Sequence, residues 1–197
     1  MPNKPLGQRC RQDVLTPEEM KSMLRACQTD RERFIVTCLM YGGLRVSELV
    51  HLRKHWIDFE EGTIQVPMTQ QCSCVECANK RDGIWKPKTA SGARTIRIHP
   101  VLKPILEQYM AGHDGVDIGR IQVWRIIKRL SEDAIVLHSV YPHAMRATAA
   151  SSYAFDGISR ASLRYLFGWS RLSSAEAYVQ SDRKRALAEQ EAVHSHA

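Results

Sequence analysis

The chain has 197 residues, 44% of them apolar, enough for one or two domains with a proper core. Its formal net charge of +7 favours a polyanionic partner. There is no apolar run long enough to span a membrane and no signal-like apolar stretch after Met1, and six cysteines are too few for a disulfide scaffold, so a reducing, cytoplasmic setting is expected.

Residues 1–15 are polar and basic and read as an arm or linker remnant. Thr16-Pro17-Glu18-Glu19 is a helix start, with Thr16 as cap and Glu19 completing a capping box. A second helix begins near Asp30, with Phe34, Ile35, Cys38 and Leu39 on one apolar face. Gly42-Gly43 breaks it, and residues 44–50 restart as a short helix. Arg45 and Glu48 share a face of that helix. Taken alone they read as a surface ion pair, worth under about 1 kcal/mol.

The period then changes. Glu61-Gly62 signals a turn, and residues 63–66 alternate as a strand. Further strands are predicted over 84–88 and 94–98, giving a small antiparallel sheet with Lys88 close to its turn. A hairpin lysine can bring its amine into a cleft and donate a proton. Alone, it is equally a solvated cation. Between the strands lie Cys72, Cys74 and Cys77, whose spacing in a polar loop suits a structural zinc ion. His51, His55, Asp82 and Cys38 are the candidates for a fourth ligand. Three free, reactive thiols are the plainer alternative.

Residues 100–110 are amphipathic and helical. Residues 119–130 form a helix with Ile121, Trp124, Ile127 and Leu130 on its apolar face. Arg120, Arg125, Lys128 and Arg129 make the other side basic, as either a solvated face or a surface for DNA phosphates. The next helix starts near His143, and its small residues over 147–152 allow close packing. Another covers 159–167 and stops at Gly168. Residues 173–176 open the segment carrying Tyr178, and residues 183–197 are helix-prone to about Val193, then a tail.

The most restrictive stretch runs from Pro142 to Tyr178. His143 and Arg146 lie three apart, Leu166-Phe-Gly-Trp169 follows, and Tyr178 stands nine residues after Trp169. Such groups can act on a phosphodiester. Guanidiniums bind its non-bridging oxygens and stabilise the extra charge of the transition state. A phenol has a pKa near 10, so Tyr178 needs cationic neighbours or a base. His143 can be that base or another donor, and Lys88 can protonate the departing 5′-oxygen. A covalent 3′-phosphotyrosine stores the bond energy, so rejoining needs neither ATP nor a catalytic metal.

In this order, Gly42-Gly-Leu-Arg-Val-Ser-Glu-Leu49, Lys88 with Thr-Ala-Ser-Gly-Ala-Arg-Thr-Ile96 after it, His143-Ala-Met-Arg146, Leu166-Phe-Gly-Trp169 and Tyr178 resemble the catalytic domain of the tyrosine recombinases, the phage integrase family. The resemblance spans about residues 14–182. It implies a mixed α+β fold, mostly helical with a small antiparallel sheet. It implies that Arg45 and Arg146 clamp a phosphate, that Lys88 is the general acid, and that Tyr178 is the nucleophile. His143 and Trp169 fall at the family's two histidine positions, the indole N–H of Trp169 still being able to donate. Glu48 matches the acidic residue that buttresses the site. The expected domains are a catalytic domain over 16–182, a Cys-rich insertion over 72–83 in the hairpin region, and a C-terminal helix and tail over 183–197. The family's N-terminal DNA-clamping domain is expected to be absent from this sequence. The implied activity is site-specific DNA recombination. The implied partners are double-stranded DNA of the nucleoid and, on paired sites, three further copies of the chain. Two alternatives stand beside it: a strand-passage enzyme of the type IB topoisomerase kind, and a catalytically silent, zinc-containing DNA-binding regulator.

Overall fold

The structure, a computed structural model, describes residues 13–80 and 82–179. Helix α1 (Pro17–Ala26) starts as expected: the Thr16 hydroxyl accepts from the Glu19 N–H, and the Glu19 carboxylate accepts from the Thr16 N–H. Thr29 and Glu32 repeat the device at α2 (Asp30–Met40).

Helix α2 is not amphipathic. Every residue from Phe34 to Met40 is buried, so it is the central helix of the domain. Thr37 is tolerated there because its hydroxyl donates to Arg33 O at 2.7 Å. Helices α5 (Leu102–Gly112) and α7 (Pro142–Phe155) pack on α2, and the small Ala147, Ala149 and Ala150 let α7 approach closely. The short helix α3 (Val46–Leu49) follows the Gly42-Gly43 turn.

Strands β1 (Ile57–Asp58), β2 (Thr63–Val66) and β5 (Arg94–Arg97) form an antiparallel sheet in the order β1-β2-β5, with Val66 opposite Arg94. Residues 67–93 are therefore an excursion within the β2–β5 hairpin. They build a second ribbon, β3 (Gln70–Gln71) with β4 (Ile84–Trp85), and a short helix α4 (Val75–Lys80) between its strands. The strand expected over 84–88 stops at Trp85, because Pro87 has no N–H for a ladder. Helix α5 begins two residues later than the sequence suggests, which puts Pro104 in its first turn, where no N–H is needed.

Helix α6 (Arg120–Asp133) corrects the expected apolar face. Val123, Ile127 and Leu130 are buried, whereas Ile121 and Trp124 are 69% and 46% exposed. The buried stripe follows the i, i+4, i+7 rule from Val123, a residue the sequence reading left off the face. Helix α8 (Arg160–Leu166), capped by Ser159, packs on α7 and β5, and α9 (Ser173–Glu176) packs on α8.

Residues 13–15, assigned above to the arm, are docked. Leu15 is buried and donates its N–H to Thr148 Oγ1 at 3.0 Å, and Tyr141 donates to the Asp13 carboxylate at 2.8 Å. The remainder of the arm and the 183–197 tail lie outside the described residues. Among the described residues no helix is long and apolar enough to cross a membrane.

Candidate active site

Glu48 is the centre of the site. It sits on α3 at 1% exposure, so its pairing with Arg45 is not a surface ion pair. Arg45 precedes the helix and donates both its backbone N–H (2.8 Å) and a guanidinium N–H (2.6 Å) to the Glu48 carboxylate. Arg94 arrives from β5 and binds both carboxylate oxygens at 2.9 Å, a bidentate fork. The Arg146 guanidinium, from α7, lies 3.8 Å away. Burial pushes the Glu48 pKa up, but Arg94, Arg146 and Arg45 outweigh it and hold the carboxyl at about 2.

The three arginines are also tied to one turn. At the C-terminal end of α8 the last carbonyls have no partner within the helix. Leu166 O accepts from Arg94 Nε at 2.6 Å, Phe167 O from Arg146, and Gly168 O from Arg45 at 2.6 Å. Gly168 has φ +55°, and a Cβ there would lie 2.7 Å from Ser91 O. Glycine is thus required both by conformation and by close approach. Gly43 matches it across the site. Its φ is +59°, a Cβ would meet the Phe167 ring at 2.6 Å, and its carbonyl accepts from Arg146.

Trp169 and Tyr178 leave that turn as a stack. Phe167 and Trp169 have ring centroids 5.0 Å apart, and Trp169 and Tyr178 are 5.3 Å apart and nearly parallel at 5°. Arg146 lies over the Phe167 ring at 5.0 Å. Burial lowers the Arg146 pKa, while the Glu48 carboxylate and, more weakly, Tyr178 in its phenolate form oppose that. Tyr178 is therefore within electrostatic reach of the arginine cluster.

His143 is in the first turn of α7, on the solvent side. Partial desolvation, then the guanidiniums of Arg146 and Arg45, lower its pKa below the ordinary 6.5. Its imidazole is thus neutral at pH 7 and able to accept a proton. In an NMR titration the His143 ring is expected to protonate with a midpoint under 6.5; a midpoint at or above that value would mean that neither desolvation nor the arginines act on it. Lys88 is exposed, in the segment that joins β4 to β5 rather than on a strand. The same segment reaches the arginines through Ser91, whose hydroxyl donates to Gly168 O at 3.3 Å.

Sequence reasoning missed Arg94. It is 4% exposed and joins the site directly, yet in sequence it stands only within a predicted strand and the stretch after Lys88, with no role of its own. The signal was its register. Arg94 and Ile96 point inward along β5, and a buried arginine requires a buried acid.

The four basic residues of α6 do not behave alike. Arg120 pairs with Glu76 at 2.6 Å, and Arg129 pairs with Glu32 and Asp133 at 2.5 and 2.7 Å. Lys128 lies over the Trp124 ring at 5.5 Å, and Arg125 is exposed. Away from the arginines, Cys72, Cys74 and Cys77 meet His51, with all four ligand atoms within 4.8 Å of one another. Of the other three candidate fourth ligands none joins the cluster; Cys38 is buried in α2.

The sequence model of the phage integrase family matches residues 13–185. The chain belongs to the phage integrase family. Among members of that family it is 29% identical over 173 residues to the tyrosine recombinase XerA of Thermococcus kodakarensis, covering 85% of this chain and 57% of that protein. It is 28% identical over 172 residues to XerA of Pyrococcus furiosus, covering 86% and 58%. The chain thus spans little more than half the length of these curated relatives. Of solved structures, the fold is similar to the Tn1549 transposon integrase in complex with circular intermediate DNA (TM-score 0.72, 23% identity, 97% of this chain and 68% of that one). It is also similar to XerA recombinase (TM-score 0.69, 20% identity, 98% and 66%). The α+β fold expected of the phage integrase family is the one found.

Proposed function

We propose that the chain is a site-specific DNA recombinase that cleaves and rejoins DNA through a 3′-phosphotyrosine on Tyr178. The observation that carries this reading is the convergence of Arg45 and Arg146 on one buried carboxylate, with Tyr178 stacked beside them.

In this mechanism Arg45 and Arg146 bind the non-bridging oxygens of the scissile phosphate. Arg45 is well placed, since its side chain is 23% exposed and only part of its five-donor fork is used by Glu48 and Gly168. Trp169 adds its indole N–H and holds the Tyr178 ring through the stack. Neutral His143 takes the phenol proton, and Tyr178 Oη attacks phosphorus. The bond from phosphorus to the 5′-oxygen breaks, and Lys88 gives that oxygen a proton. The products are a 3′-phosphotyrosine and a free 5′-hydroxyl. Attack by a 5′-hydroxyl on that linkage reverses the steps and joins strands. The stabilising cations are side chains, and no cofactor takes part in these steps.

The proposed partner is double-stranded DNA of the nucleoid, with four copies of the chain on paired sites. Arg125 and Lys128 are the better phosphate contacts on α6, because Arg120 and Arg129 are already engaged by carboxylates. The presence of Arg45, Lys88, His143, Arg146 and Tyr178 together disfavours a catalytically silent regulator.

Covalent trapping tests the reading. Supercoiled DNA from the source element is incubated with the protein and quenched in denaturant. The wild type is expected to leave protein on DNA 3′ ends, and Tyr178→Phe to leave none. Bound DNA without an adduct in the wild type would overturn the enzyme reading. Adducts at every sequence, with relaxation of any plasmid, would favour the strand-passage alternative.

A further inference from the structure

We propose that Cys72, Cys74, Cys77 and His51 bind one structural zinc ion, which fastens the β3–β4 ribbon to the turn after α3. Tetrahedral zinc with bonds of about 2.3 Å to sulfur and about 2.0 Å to nitrogen sets its ligand sulfur and nitrogen atoms about 3.5 Å apart. Cys74 Sγ and Cys77 Sγ each lie 3.5 Å from His51 Nε2.

The histidine is prepared for a metal. Its Nδ1 is 2.7 Å from Ser47 O. A carbonyl can only accept, so in the neutral ring Nδ1 carries the hydrogen and Nε2 keeps a lone pair facing the sulfurs. This is the outer hydrogen bond that orients metal-bound imidazoles. Trp85 stacks on His51 at 5.3 Å and donates its indole N–H to Ser47 Oγ at 3.2 Å. The sulfurs are supported as well. The Cys74 N–H points to Cys72 Sγ and the Cys77 N–H to Cys74 Sγ, each at 3.4 Å, which suits thiolates that bear charge. Four protein ligands leave no open position, so the ion is structural rather than catalytic. Binding displaces the three thiol protons to solvent.

The location gives the ion a task. His51 follows Glu48 by three residues, and Trp85 precedes Lys88 by three. The cluster therefore joins the segment that holds Arg45 and Glu48 to the segment that carries Lys88. The excursion has only two paired positions between β3 and β4, and Gln70 and Trp85 already tie it to His51 and Ser47, the segment the ion would also hold.

The test is metal content with ligand variants. Protein purified under reducing conditions is expected to hold about one zinc per chain. Cobalt in its place is expected to show the visible bands of a tetrahedral thiolate site. Cys77→Ser and His51→Ala should each lose the metal, and Cys27→Ser, remote from the cluster, should keep it. If those variants do not fold, the wild type serves. Stripping with a chelator should lower Tm and speed hydrogen exchange in residues 70–85, and one equivalent of zinc should restore both. Folded, reduced protein with under about a tenth of an equivalent of zinc would overturn the proposal, as would iron in zinc's place or equal metal loss in Cys27→Ser. None of these readouts depends on DNA cleavage.

Discussion

Glu48→Gln is expected to lower the unfolding free energy by about 3–5 kcal/mol, since it strands buried guanidiniums without their counter-charge. That is a large fraction of a domain's net stability of about 5–15 kcal/mol. On the proposed mechanism DNA cleavage should fall further than stability explains, by at least about 10²-fold in protein that remains folded, because the arginines that would bind phosphate lose their common anchor. The pH dependence separates charge from packing. The Glu48 carboxyl has a lower pKa folded (about 2) than unfolded (ordinary value 4.5), so its stabilisation is complete above 4.5 and is lost as pH falls toward 2. That difference is worth about 3 kcal/mol. Denaturant titrations across this window should show the slope in the wild type and not in Glu48→Gln. A loss under about 1 kcal/mol at pH 7 would place Glu48 among ordinary surface acids.

Arg94→Ala should be comparably severe, at about 3–5 kcal/mol. It removes the bidentate partner of Glu48 and leaves Leu166 O and Gly92 O without their donor. Arg94→Lys restores the charge without the fork and should recover only part of the loss. The two residues are one unit, so the double variant Glu48→Gln/Arg94→Ala should cost less than the sum of the single changes, by about 1–3 kcal/mol. Strict additivity in that cycle would mean that Arg94 acts through the sheet and not through Glu48.

The contrast between Tyr178 and Arg94 marks what could be read from the chain. Tyr178, His143, Arg146 and Arg45 are visible because each belongs to a short spaced pattern whose chemistry makes sense on a phosphodiester. Arg94 stands in the stretch from Thr89 to Ile96 that resembles the family, but nothing in that stretch gives it a chemical task. Its role depends on which face of β5 is buried, and that is decided by Val66 opposite it and by the α8 turn beneath, both distant in sequence. Helix α6 failed for a related reason. Its apolar residues are compatible with two adjacent stripes, and only contact with α1, α2 and α7 selects the one through Val123. Helix α2 was legible as a helix but not as the centre, because burial on all sides leaves no periodic signal. His51 was one of four candidates beside the cysteines until the fold brought it within reach of their sulfurs.

The α8 turn has a consequence for how the protein is made. Arg45 donates to a carbonyl 123 residues further along the chain, and Arg94 to one 72 residues further. Synthesis proceeds from the N-terminus, so both arginines leave the ribosome long before their acceptors exist. A chain that ends before Leu166 lacks both acceptor carbonyls, and of the partners described above only Glu48 and Gly92 O remain to Arg45 and Arg94. On the proposed mechanism a chain that ends before Tyr178 has no nucleophile and cannot form the covalent link to DNA. On that mechanism, the turn beneath the arginines and the tyrosine that follows it are the last parts of the site to be synthesised.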